Sequence, residues 1–254
     1  MPSVTRISLT PVKGFALDHP DEVELGPRGV VANRRFYLAE EDGRRLRSSQ
    51  TAWPVRFRAR YDPTAEHLEV TLPDGGLVEG STLKLGRSIV SDFFGRRVEA
   101  HVVDGPWTEP LSAAAGRPVV LARPAEPGEC LTEPVTLMST ASLARLDRAA
   151  GTEVDGRRFR MLFTLDGCGE HEEDEWEGRV FRIGDARIRV GGPVDRCAVT
   201  TRDPDTGVRD LDTLRVIRDY RGARASDGKS IDFGVYAQVV EPGPVRLGDA
   251  VTAE

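Results

Sequence analysis

The chain has 254 residues, with 41 acidic against 35 basic side chains and a net charge of −6. That balance favours solubility and gives no support for wholesale nucleic-acid binding, and no apolar run approaches the ~18 residues that a membrane span needs. The start of the chain lacks an apolar signal core, and Cys130, Cys168 and Cys197 are too few and too scattered for a disulfide framework or a CxxC zinc site. The expectation is a cytoplasmic protein without membrane contact, in a reducing compartment, with one large or two modest domains.

In chain order the dominant hydrophobic period is two, not 3.6. Residues 23–25, 57–61 and 67–72 alternate as half-buried strands do, and turn chemistry recurs at Glu41-Asp42-Gly43 and Leu72-Pro73-Asp74-Gly75-Gly76. A short helix is expected over 89–94. Between Gly105 and Gly128 lie Pro106, Pro110, Pro118, Pro124 and Pro127, so this segment reads as a junction with a boundary near residue 120, giving units 1–120 and 121–254. A helix follows at 139–151, opening on hydroxyl caps and stopping at Gly151. The acidic run at 172–175 reads as a solvated loop rather than a metal site. Residues 181–190 form a long strand, Cys197 opens a short β segment before the Asp203-Pro204-Asp205-Thr206-Gly207 turn, and a helix capped by an Asp runs over 210–220. The fold class is mainly β with a few helices (α+β), built from barrels or sandwiches.

Few residues in this pattern suggest chemistry. His19, His67, His101 and His171 stand apart from any Ser/His/Asp grammar, and neither GxGxxG nor GxxxxGK[ST] occurs. Cys197 stands out. A thiol at a strand edge beside a loop reaches a bound group, and Arg196 next to it favours the thiolate, the form that attacks or coordinates metal; a small buried hydrophobe is the plainer alternative.

Six blocks, in order, carry a resemblance: Pro11-Val12-Lys13-Gly14; Asn33-Arg34-Arg35-Phe36; Pro134-Val135-Thr136-Leu137-Met138-Ser139-Thr140; Arg158-Phe159-Arg160; Arg196-Cys197-Ala198-Val199-Thr200-Thr201 with its turn; and Phe233-Gly234-Val235-Tyr236 leading to Glu241-Pro242-Gly243. The C-terminal half resembles the MOSC family (molybdenum cofactor sulfurase C-terminal domain), and the first hundred residues resemble the β-barrel that precedes it in the amidoxime-reducing component and its bacterial relatives.

That resemblance implies an N-terminal β-barrel followed by a MOSC barrel, with a molybdopterin-type molybdenum cofactor in the cleft between them. Cys197 is then the catalytic residue and metal ligand. Lys13, Arg34 and Arg160 match the family's basic anchors for the cofactor phosphate, with Ser139 and Thr140 as donors at a helix start. The implied activity is two-electron reduction of N-hydroxylated small molecules, with electrons from a separate ferredoxin- or flavin-reductase-type donor protein. Asp203 or Asp205 is a candidate proton donor, against a turn-shaping role. Two departures from the family, Met161 and Leu162 after Arg160, place apolar residues where a Pro-Asn pair is usual and point to a more apolar pocket. Alternatives are a sulfur carrier acting through Cys197, or a non-catalytic cofactor carrier.

Overall fold

The structure, a computed structural model, describes residues 1–254. The chain is laid down as β1 (Ser3–Ile7), β2 (Glu22–Leu25), β3 (Tyr37–Ala39), β4 (Arg58–Asp62), β5 (His67–Thr71), β6 (Leu77–Ser81), β7 (Leu85–Phe93), β8 (Arg96–Val103), α1 (Thr108–Ala115), β9 (Val120–Pro124) and β10 (Val135–Ser139). It continues as α2 (Thr140–Ala150), β11 (Phe163–Asp166), β12 (Val180–Ile183), β13 (Ala186–Asp195), α3 (Thr213–Arg221), β14 (Asp232–Glu241), β15 (Gly243–Arg246) and β16 (Val251–Ala253). Strands dominate, as the two-residue period requires.

The largest sheet runs β1-β11-β10-β14-β13-β12-β16. Its two edges meet: Val4 N donates to Asp249 O at 2.9 Å and Val251 N to Pro2 O at 2.8 Å, so the sheet is a nearly closed barrel with little exposed edge. Inside it lie Ile7, Leu137, Phe163, Leu165 and Ile188, each wholly buried. A second layer pairs β3-β9-β8-β7 beside β4-β5-β6, around Phe15, Phe36, Phe57 and Trp107. The chain crosses between these layers. β1 pairs with β11 and β2 with β15, so segments from both ends of the sequence build the barrel, whereas the second layer is drawn from β3 to β9 alone.

Three local readings differ from expectation. Residues 89–93 are strand and Phe94 begins a turn, because Ile89, Ser91 and Phe93 are buried while Val90 and Asp92 face out; the Ile89–Phe93 spacing fits a helical face equally well, and pairing with β8 decides it. The Pro-rich junction holds α1, which tolerates Pro110 in its first turn and ends at Gly116 in the left-handed region at φ 66°. The acidic run is a 3₁₀ turn that plugs the fold: Glu173 is fully buried and accepts from Ser139 N at 3.1 Å and Ser142 Oγ at 2.8 Å. Burial raises its pKa, and an acid at this helix start satisfies donors that an α-helix leaves open.

Glu173→Ala is therefore expected to destabilise by about 2 kcal/mol, from a buried amide and hydroxyl left without an acceptor, and to lower Tm by roughly 4–8 °C. Glu173→Gln keeps one acceptor oxygen and should lose less. Calorimetry on both variants checks this, and an alanine variant as stable as the parent would show that the carboxylate contributes nothing at the helix start.

Candidate functional site

The two layers enclose a cleft of about 340 Å³, lined among others by Lys13, Arg34, Arg160, Met161, Cys197 and Tyr236. Five separate segments of the chain deliver them. Lys13 sits before Gly14, whose φ of 99° turns the chain beside Ser48, where a Cβ would stand 3.0 Å from Ser48 Oγ. Arg34 and Arg160 are both in the left-handed region, at φ 53° and 54°, which is strained for a long side chain and recurs at ligand sites. Cys197 follows β13 and opens a 3₁₀ turn over Ala198–Thr201 rather than the β segment expected, with its side chain exposed.

The cations are braced by carbonyls instead of carboxylates. Lys13 Nζ donates to Cys130 O at 2.8 Å, Arg34 Nη2 to Arg160 O at 2.9 Å, and Arg160 Nη2 to Phe15 O at 2.7 Å. Burial lowers the Lys13 pKa to about 7, helped by the neighbouring charges of Arg34, Arg45 and Arg160. Burial likewise takes Arg34 down to about 10 and Arg160 to about 9, the latter also repelled by Arg34. Desolvated positive charge without a paired acid favours an anion. The Arg196 guanidinium turns inward, donating to Phe159 O at 2.9 Å, to Met161 Sδ at 2.7 Å and to Phe233 O, so it fixes the loop that carries Cys197.

Not every expected residue lies here. Ser139 is buried and Ser142 N donates to its Oγ at 3.0 Å, while Thr140 Oγ1 donates to Asp166 Oδ1 at 2.6 Å; neither lines the cleft, because Glu173 and Asp166 occupy their donors. Asp203 Oδ1 accepts from Thr206 N at 2.7 Å, and both Asp205 oxygens accept from Arg157, at 2.9 and 2.7 Å, so these two acids shape the turn and a surface pair. Met161 lines the cleft, but Leu162 packs into the barrel core. Arg45, Arg47 and Ser48 also line it without belonging to any expected site, as do Phe94 and Tyr236, which the sequence places in an expected helix and a family block but gives no role in the site. The basic run Arg44-Arg45-Leu46-Arg47 was the available signal.

The pH response follows from Lys13. Its folded pKa lies below the free value, so the ammonium is present below about 7 and lost above it, whereas a bound anion favours the charged form. Sulfate, which does not itself titrate there, should bind most tightly at pH 6 and weaken by up to about tenfold per unit as pH rises through 7 to 9. Calorimetric titrations would show it, and Lys13→Met should flatten the curve. A flat parent profile would remove Lys13 from the anion site.

The MOSC domain family model matches residues 113–252. The chain belongs to the MOSC domain family. Among relatives of this MOSC protein, the human mitochondrial amidoxime-reducing component 1 is 35% identical over 125 residues, covering 47% of this chain and 36% of that protein. The Bos taurus mitochondrial amidoxime reducing component 2 is 36% identical over 124 residues, covering 46% and 36%. The chain thus spans little more than a third of the length of these curated relatives. Among solved structures, the YuaD protein from Bacillus subtilis aligns over 99% of this chain and 94% of its own at 12% identity and TM-score 0.44. YiiM from Geobacillus stearothermophilus aligns over 48% and 54% at 19% identity and TM-score 0.34. No helix of this MOSC protein is long and apolar enough to cross a membrane.

Proposed function

We propose that this MOSC protein binds a molybdopterin-type molybdenum cofactor in the cleft and reduces N-hydroxylated small molecules by two electrons, drawn from a separate donor protein of the ferredoxin or flavin-reductase type. The observation that carries it is one cleft holding an exposed soft thiol, Cys197, together with three half-buried cations that lack an acidic partner. The residues suit the group. A thiolate matches a metal already in sulfur coordination, and Arg forks with a Lys point charge match a phosphate. Membership of the MOSC family and similarity to proteins named amidoxime-reducing components support the same reading.

When bound, the cofactor supplies the two-electron chemistry at an oxygen-bearing atom. The chain's own contribution is placement and charge: Arg34 and Arg160 hold the anionic end, Arg196 fixes the Cys197 loop through backbone carbonyls, and Met161 makes one wall apolar. Lys13 Nζ, held by the Cys130 carbonyl, adds a point charge to the same anionic end.

The test begins with metal and pterin analysis of protein from a cofactor-competent host, followed by reductase-coupled turnover of an amidoxime. Stoichiometric molybdenum with turnover is the expected result. Persulfide on Cys197 without metal would replace the reading with sulfur transfer, and bound molybdenum without turnover would replace it with cofactor carriage.

A further inference from the structure

The β7–β8 hairpin ends in a two-residue turn, with Phe93 paired to Arg96 and only Phe94 and Gly95 between them. Both turn residues have positive φ, 57° and 82°, which is the backbone that Asn-Gly or Gly-Gly adopts without strain. Phe94 adopts it at a cost, and it does so without burying its ring: the residue is 57% exposed. The turn is held in place. Arg45 Nε donates to Asp92 O and Arg96 Nη2 to Leu131 O, and Leu131 and Phe94 both line the cleft. Lys13 Nζ lies 5.5 Å and the Arg45 guanidinium 5.4 Å from the Phe94 ring centroid.

A strained, exposed, braced aromatic in the wall of a cleft is the arrangement of a recognition surface rather than of a packing residue. We propose that Phe94 is a specificity-determining platform, stacking the flat aromatic part of an N-hydroxylated substrate whose N–O end faces Cys197. This rests on the reductase reading above and deepens it by naming the substrate feature that the cleft selects. An aliphatic N-hydroxy compound offers no ring to the platform and gains nothing from it. Lys13 and Arg45, which lie over the ring at cation–π distance, favour an electron-rich or anionic π-system at the same place.

The experiment compares benzohydroxamate with acetohydroxamate, two N-hydroxy probes that differ in ring against methyl, by calorimetric titration of the full chain and of Phe94→Asn. Asn suits the left-handed turn, so folding should be retained or improved, which separates loss of the ring from loss of structure. The parent should prefer the aromatic probe, and the ratio of the two affinities should fall by about tenfold in the variant, the scale of one aromatic pair. An unchanged ratio, or no preference in the parent, would overturn the platform. A fall in pterin content of Phe94→Asn would also overturn it, by assigning the ring to the cofactor. Absence of amidoxime turnover with the ratio still dependent on Phe94 would sink the reductase reading and leave the platform standing.

Discussion

Cys197→Ser is expected to abolish turnover and to strip molybdenum from the purified protein while leaving the Tm of the cofactor-free protein almost unchanged. The thiol is exposed at the start of a 3₁₀ turn and packs into no core, so the exchange should stay within about 0.5 kcal/mol of the parent stability. Its effect falls on coordination, because a hydroxyl is a far poorer ligand than a thiolate for a soft metal centre. The other two thiols are poor candidates for that role. Burial pushes Cys130 up to about 12 and holds it wholly inside, and burial with Glu173 and Glu172 nearby pushes Cys168 up to about 12 as well. Serine at either should leave metal content intact. Molybdenum per chain, measured on all three variants, decides between them: a Cys197→Ser protein that retains its metal and its activity would remove the thiol from the site.

The parts of this site that were legible in sequence are those whose chemistry is local. Cys197 beside Arg196 stands out without knowledge of its neighbours, whereas Lys13, Arg34 and Arg160 are marked only by the resemblance of their blocks to the MOSC family, since a lysine before a glycine or an arginine in a basic block is common on any surface. What was hidden depends on pairing across the chain. Ser139 and Thr140 do begin a helix, with Ser139 as its N-cap, but the acceptor at that helix start is the Glu173 carboxyl group, 34 residues away in sequence and part of a run that reads as solvated surface. Leu162 follows Arg160 by two positions, yet the chain turns at Arg160 so that Met161 faces the cleft and Leu162 the barrel. Phe94 belongs to a segment whose apolar spacing fits helix and strand equally, and only the pairing of β7 with β8 puts its ring at a hairpin tip. Arg158 and Arg160 lie in one three-residue block but face different partners: Arg158 forms a two-pronged pair with Asp210, at 2.7 Å on each prong, while Arg160 has no acid at all.

Arg160→Ala and Arg34→Ala are each expected to lower cofactor occupancy sharply while leaving the cofactor-free protein as stable as before, or more so. Loss of one charge-assisted contact to a partly buried anion costs about 1.5–3 kcal/mol, or roughly ten- to a hundredfold in affinity. The stability of the empty protein should move the other way. Both guanidiniums are desolvated, Arg34 lowers the pKa of Arg160, and neither has a carboxylate to offset its burial, so deleting one relieves repulsion on the other. Their hydrogen bonds to Phe15 O and to Arg160 O return part of that gain, which is why the expected change in Tm is small. Arg158→Ala is the control. It removes an arginine whose own side chain is buried and holds Asp210 through two hydrogen bonds, and it should therefore cost folding stability through lost packing and a lost charge-assisted pair, Asp210 itself being open to water. Pterin content at limiting cofactor, measured beside Tm for the three variants, separates the roles by sign: anchors lose occupancy and keep Tm, whereas a structural pair loses Tm. If Arg34→Ala and Arg160→Ala fall with Arg158→Ala in Tm and keep their pterin, the cation cluster is a folding element and the anion site lies elsewhere.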